Sequence, residues 1–264
     1  MTGTLLKPLT RPTLRGSARR EGEWIVFTCA GVDSTGLDAA SRVGVDLARV
    51  QTPDQAVAFV QRYGPLRSWP DSLSSSRFTE TIRATTTLKK TVEIREPLQD
   101  VLQAAQQLKD FAYARIDAKK ASEGDVAARE RITRYAKACC GWGSPAISIS
   151  SEAWVSEWLA SELSDHLRGA RTHVESVAPG QFQLRLLSDT LLGFCWANIA
   201  QVFAAKEPLG ICAECARVFV VEDGRQKFCE PKCATRARFR RFKERHPAQA
   251  VASSARPRDD RGGF

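Results

Sequence analysis

Apolar positions recur along the chain with two periods. Trp24-Ile25-Val26-Phe27-Thr28-Cys29 gathers β-branched and aromatic residues before the turn-like stretch from Gly31 to Gly36, which predicts a buried strand. A short helix follows: Thr52 caps it, Pro53 suits its first turn, Val57, Phe59 and Val60 give it an apolar face, and Gly64-Pro65 stops it. The segment from Gly64 to Thr79 reads as a Ser-rich loop, and Thr81 to Val92 leaves helix and strand both open. From Pro97 onward, Leu98, Val101, Leu102, Ala105, Leu108, Ala112 and Ile116 recur at helical spacing up to about Gly124. A second helix covers Asp125 to Ala138, and Gly141 to Pro145 breaks it. Ser150 or Ser151 caps the next, with Trp154, Val155, Trp158, Leu159, Leu163 and Leu167 as its apolar stripe. Thr172 to Val177 and Gln181 to Leu187 alternate as two strands around Ala178-Pro179-Gly180, a hairpin connection. Ser188 then caps a helix to about Ala205 that carries Leu191, Leu192, Cys195, Trp196, Ile199 and Phe203.

These patterns predict an α+β, mainly α, protein in four parts. Residues 1–22, rich in Arg, Thr, Gly and Pro, read as a flexible arm. Residues 23–207 form a mainly helical domain with a few short strands, and Glu207-Pro208-Leu209-Gly210 separates it from a small unit over 208–246. The final stretch, 247–264, is too polar and too rich in small residues to pack, so it reads as a disordered tail. No internal repeat is present. At 264 residues with 43% apolar content the chain has enough material for a core, so it has little need of disulfide staples. It has no secretory apolar run and no stretch of roughly 18 apolar residues that would cross a bilayer, so a cytoplasmic protein without membrane contact is expected.

In a reducing compartment, clustered cysteines point to a metal before they point to disulfides. Four of the eight cysteines fall between Cys212 and Cys233. Cys212-x2-Cys215, a thirteen-residue spacer and Cys229-x3-Cys233 supply the four soft donors of a tetrahedral zinc ion, provided that the intervening chain folds back. Val218-Phe219-Val220-Val221 and Gln226-Lys227-Phe228 read as strands on either side of an Asp223-Gly224 turn. Pro231 suits the first turn of a helix, so Cys229 and Cys233 flank a helix start, where the macrodipole favours thiolates. A knuckle, a hairpin and a helix start make a treble-clef-like finger. Four cysteines close the coordination shell, so the Zn²⁺ is structural and no enzymatic role is expected. His246 reads as a surface residue. Arg217, Lys227, Lys232 and Arg236 would offset part of the −2 charge of zinc with four thiolates.

The formal net charge is +9, and much of it gathers just after the last cysteine. On a helix Arg236, Arg240 and Lys243 share one stripe, Arg238, Arg241 and Arg245 another, and Glu244 is the sole acid among them. Phe239 and Phe242 lie between the stripes and are expected to dock on the hairpin or the larger domain. Arginine outnumbers lysine five to one among the six, which favours bidentate contacts with phosphate or guanine. The six are therefore the candidate nucleic-acid contacts, with DNA as the expected partner. RNA or an acidic protein, on a module whose metal is purely structural, is the alternative. A solvated basic face that only keeps the protein soluble is the plainer reading.

The C-terminal pattern resembles the CGNR-type zinc finger of a bacterial family of stress-induced transcription regulators. The resemblance rests on Leu191-Leu192-Gly193 leading a Trp-containing helix, Cys212-x2-Cys215, Phe219, Phe228-Cys229, Cys233 and the basic helix, over about residues 186–246. The signature tetrapeptide reads Cys233-Ala234-Thr235-Arg236 here, keeping its Cys and Arg. The last Cys pair has three intervening residues, a different spacing from the usual form. The resemblance implies a DNA-binding C-terminal module joined to an N-terminal sensing or dimerising domain, and so a transcription regulator that could act as a homodimer.

Other candidate sites are weaker. Adjacent Cys139-Cys140 is a poor disulfide, and buried free thiols are common. His166 and His173 have no nucleophile or carboxylate arrangement to serve. Trp154, Trp158 and Trp196 fit core packing at helical spacing. Gly141-Trp142-Gly143 lacks the lysine of a phosphate loop.

Overall fold

Ile25, Val26 and Phe27 are fully buried, and the strand that holds them is the centre of a three-stranded sheet. In the computed structural model, which describes residues 7–8, 11–37, 42–66, 92–139, 151–168, 170–178, 181–188, 190–205 and 207–246, this strand is β3 (Trp24–Leu37). It pairs antiparallel with β2 (Arg11–Glu21) on one side and with β4 (Val92–Pro97) on the other. The expectation of a flexible arm over residues 1–22 is thus corrected at Arg11–Glu21, which is a paired strand. Its alternation was masked by arginine: Leu14 is buried and Gly16 and Ala18 are half-buried, while Arg15, Ser17 and Arg19 face water. The wet face is laced together by Arg19, whose Nε donates to Glu21 and whose second guanidinium nitrogen donates to Glu93 across the sheet. The strand at Trp24 also continues past Gly31 to Leu37, because β2 pairs with it at Gly31, Val32 and Asp33 and, after a register shift, again at Leu37.

The helices follow the apolar period closely. Thr52 Oγ1 accepts from Gln55 N at 3.3 Å and Pro53 opens α2 (Pro53–Tyr63), which ends at Gly64 with φ +89°. The 25-residue α3 (Leu98–Ser122) buries Val101, Ala105, Leu108 and Ala112 as spaced, and α4 (Val126–Cys139) and α5 (Ser151–Leu167) pack on it. Asp117 is nearly fully buried on α3. Arg131 of α4 meets both of its oxygens at 2.9 and 2.7 Å, a bidentate pair that fixes the crossing. The strands β5 (Ala170–Ala178) and β6 (Gln181–Ser188) form the expected antiparallel hairpin, with β1 (Lys7–Pro8) added parallel to β6. The helix after them, α6 (Leu191–Ala204), is capped by Thr190 and not by Ser188: Thr190 Oγ1 accepts from Gly193 N at 3.0 Å.

A six-residue helix, α1 (Val43–Ala48), had no signal in the apolar period because it is shorter than two turns. It is buried along almost its whole length and crosses α6 at Gly44, where a Cβ would lie 2.3 Å from the Cys195 carbonyl oxygen. The backbone N–H of Gly44 donates to the Asn198 side chain at 3.1 Å, so the polar group buried at this crossing is answered. Helices α1 to α6 enclose a single apolar cluster with β3 and β4, and no described helix is long and apolar enough to cross a membrane. The fold is mainly helical with antiparallel strands, and a cysteine cluster stands at its C-terminal end. The stretches from Arg67 to Thr91, from Cys140 to Ser150 and from Pro247 onward lie outside the described residues, as do Pro179 and Gly180.

Candidate metal centre and basic helix

After Pro208 the chain makes a short ladder, β7 (Leu209–Ile211) with β8 (Val218–Val220), and the first cysteine pair sits in the connection between them. This corrects the expected hairpin. Val218–Val220 pairs backward with Leu209–Ile211, and Gln226-Lys227-Phe228 is not a strand. The Asp223-Gly224 turn does form, with Gln226 N donating to Asp223 O at 2.7 Å, and it returns the chain so that Lys227 O accepts from Ala213 N at 3.1 Å. That contact brings Cys229 to the knuckle.

The knuckle turns tightly. Cys212 N donates to Arg217 O and Ala216 N donates to Cys212 O, both at 2.9 Å. Ala216 takes φ +53°, the single positive-φ residue other than glycine among the described residues, in a region that costs an L-residue about 1–2 kcal/mol. Its carbonyl accepts the Tyr113 hydroxyl of α3, and beside it Arg49 Nε donates to Val218 O at 2.9 Å. Burial, then the nearby Asp110, Cys215 and Asp117, holds the Tyr113 hydroxyl above its ordinary range, so it stays a proton donor. Val218 joins the main apolar cluster, and Val220 packs with Val45 of α1 and Val202 of α6. The chain boundary near residue 208 is therefore bridged by packing.

The second pair belongs to a helix start. Glu230 is the cap residue, Pro231 opens α7 (Pro231–Arg245), and Cys233 N donates to Glu230 O at 3.0 Å. Cys212 and Cys233 are buried, and Cys215 and Cys229 half-buried, around Phe219 and Phe228. The four sulfurs all lie within 4.8 Å of one another, with Cys215 to Cys229 at 3.5 Å and Cys229 to Cys233 at 3.7 Å. A sulfur–sulfur bond is about 2.05 Å long, so neither pair is a disulfide. A zinc tetrahedron with 2.3 Å bonds has edges of about 3.8 Å, and the cluster matches it. Four cysteines are thus positioned for one metal ion, and the shell they make is closed to substrate.

Charge distribution in the cluster fits the same purpose. Burial pushes the Cys212 thiol up, but backbone N–H groups of Cys229, Cys215 and Glu214, with the Cys215 thiol, more than reverse this and bring it down to about 6. Burial and the neighbouring thiols push Cys229 far up, and Cys233 is raised, chiefly by burial. Backbone N–H groups aimed at Cys212 favour its thiolate, the form in which cysteine binds a metal.

Residues 209–246 match the family model of the CGNR zinc finger. The finger's four ligands are the cysteines expected from spacing, and its metal is a structural Zn²⁺. No curated protein matches the chain. Within the CGNR signature, Cys233 is the ligand, Ala234 is half-buried, Thr235 Oγ1 donates to Pro231 O one turn back at 3.1 Å and Arg236 is exposed.

The helix that follows buries only Cys233 and Ala237. Arg236, Arg238, Arg240, Arg241, Lys243 and Arg245 are all exposed, as is His246. Arg240 differs from the other five: it lies 3.1 Å from the carboxylate of Glu214 in the knuckle and 4.0 Å from Glu244. The Glu214 contact is an ion pair without hydrogen-bond alignment, since that carboxylate oxygen is buried and accepts no hydrogen bond. Arg241 Nε bends back to the Ala237 carbonyl at 3.2 Å. Phe239 and Phe242 do not dock on the hairpin or the larger domain as expected; they are 56% and 47% exposed. The expectation failed because Cys233 and Ala237, small residues two positions out of phase with the phenylalanines, form the buried face.

Proposed function

We propose that this protein binds duplex DNA through α7 and acts as a zinc-dependent transcription regulator without catalytic activity. The observation that carries the reading is the projection of α7. It buries only Cys233 and Ala237, and its six cations from Arg236 to Arg245 are all exposed, with Arg240 alone among them paired to an acid of the knuckle. Such a helix repels itself until phosphates neutralise it. The finger's knuckle-in-hairpin followed by a ligand-bearing helix has the order of a treble clef, which offers a rigid helix at the price of very few core residues. The domain formed by α1 to α6 supplies the body that senses or dimerises, and the Tyr113 and Arg49 contacts give it a physical hold on the finger.

The test is a salt titration of zinc-loaded protein against random duplexes. Neutralising about five phosphates gives a slope of log K on log salt of about −4.5. A chain with no duplex affinity at low salt defeats the reading. Charge reversal at Arg236 and Arg238 should reduce the slope by about 2, whereas an acidic protein partner as the true target would leave duplex binding absent in both forms.

A further inference from the structure

The outer face of α7 has a composition that cation content alone does not explain. Among the described residues the exposed large apolar side chains are Trp24, Val126, Phe239 and Phe242, so two of four stand three residues apart on this helix. At roughly 100° per residue, Thr235, Phe239 and Phe242 form one strip. It lies about opposite the strip of Cys233 and Ala237 that faces the metal. Lys232, Arg236 and Lys243 border the outer strip on one side, and Arg238 and Arg245 on the other. Lys243 Nζ sits 4.7 Å from the Phe239 ring centroid, and the Phe242 ring tilts at 4.8 Å against His246, the residue just after the helix, so both rings have a local neighbour and remain exposed.

An occupant must answer an apolar ridge with a cation row on each side. A second copy of this helix would set like charge against like charge. A single strand offers one line of phosphates and leaves one cation row unanswered. The major groove of B-DNA, about 12 Å wide, offers two phosphate walls with base edges between them, and it admits a helix of about 10–12 Å diameter. The deep, narrow major groove of A-form RNA does not. At the floor of the DNA groove the apolar group is the thymine C5-methyl, a known contact for phenylalanine. We propose that Phe239 and Phe242 are the base-reading residues of this finger and select duplexes carrying thymine methyl groups, while the flanking cations only place the helix on the phosphates. This rests on duplex binding by α7 and adds to it which residues carry sequence information.

Selection of duplexes from a random pool by the full, zinc-loaded chain provides the probe, followed by replacement of each thymine with deoxyuridine, which removes only the methyl group. The selected site should contain thymines at neighbouring positions, and each relevant replacement should weaken binding about fourfold, the worth of one buried methyl. The double substitution Phe239→Ala and Phe242→Ala should bring selected and random duplexes to the same affinity; both residues are exposed, so circular dichroism should show the fold retained. Selected sites without thymine, indifference to deoxyuridine, preference retained by the double variant, or tighter binding of the single strand each overturn the proposal. A chain that binds no duplex fails the proposed function first, whereas one that binds duplexes without thymine preference overturns this inference alone.

Discussion

His166 was set aside as a catalytic group because nothing in the sequence served it, and the structure gives it a packing role. Its ring stacks on Trp196 at 3.8 Å and 6°, inside the aromatic group of Phe111, Trp158, Trp196 and Phe203. Burial lowers its pKa, with Glu162 and Asp165 opposing. A histidine held neutral in the fold binds its proton more readily once unfolded, so near pH 6 the unfolded state carries more protons. Stability should therefore fall as pH drops from about 7 to 5, and His166→Gln should flatten that slope. Urea midpoints across this range check it, and an unchanged slope in the variant contradicts it. The cysteines were easier to read, since ligand spacing is local and the sulfurs must meet wherever the spacer goes. The aromatic face of α7 was not legible, because helical period separates the faces without saying which one the body covers.

At the scale of elements, long periodic helices were legible and short or edge elements were not. Leu98–Ser122 announced itself through repeated apolar positions, whereas Arg11–Glu21 hid its alternation behind arginines that pair with acids across the sheet. Val218–Val220 was rightly read as strand but given the wrong partner, because the Asp223-Gly224 turn suggested a forward hairpin while Leu209–Ile211 supplied the nearer edge. That ladder is where the finger meets the body. Tyr113→Phe removes the hydroxyl that satisfies the Ala216 carbonyl and should cost about 1 kcal/mol of finger docking. Hydrogen exchange at Arg217 and Val218 should rise about fivefold, with exchange in α3 unaffected. Equal protection in both proteins would mean that the finger is held without this contact.

Across the whole molecule the two regions are stabilised by different physics. The helical body rests on one large apolar cluster, while the finger has a separate small one in which Cys212, Phe219 and Cys233 are the buried members, and depends on its metal for the rest. Glu207-Pro208-Leu209-Gly210 marks a change of composition near residue 208. The packing across it was not legible, since Val218 and Val220 give no sign in sequence of which helices they reach. The division predicts that metal removal acts on the presentation of α7 and leaves α1 to α6 folded. The most direct measurement is anisotropy of a labelled duplex titrated at fixed salt with the zinc-loaded chain, the same chain after chelation, and the chelated chain resupplied with zinc. One zinc per chain, an affinity loss of at least tenfold on chelation and its return with the metal are predicted. Equal affinity with and without the metal would contradict the claim that four thiolates around zinc hold the basic helix in its binding pose.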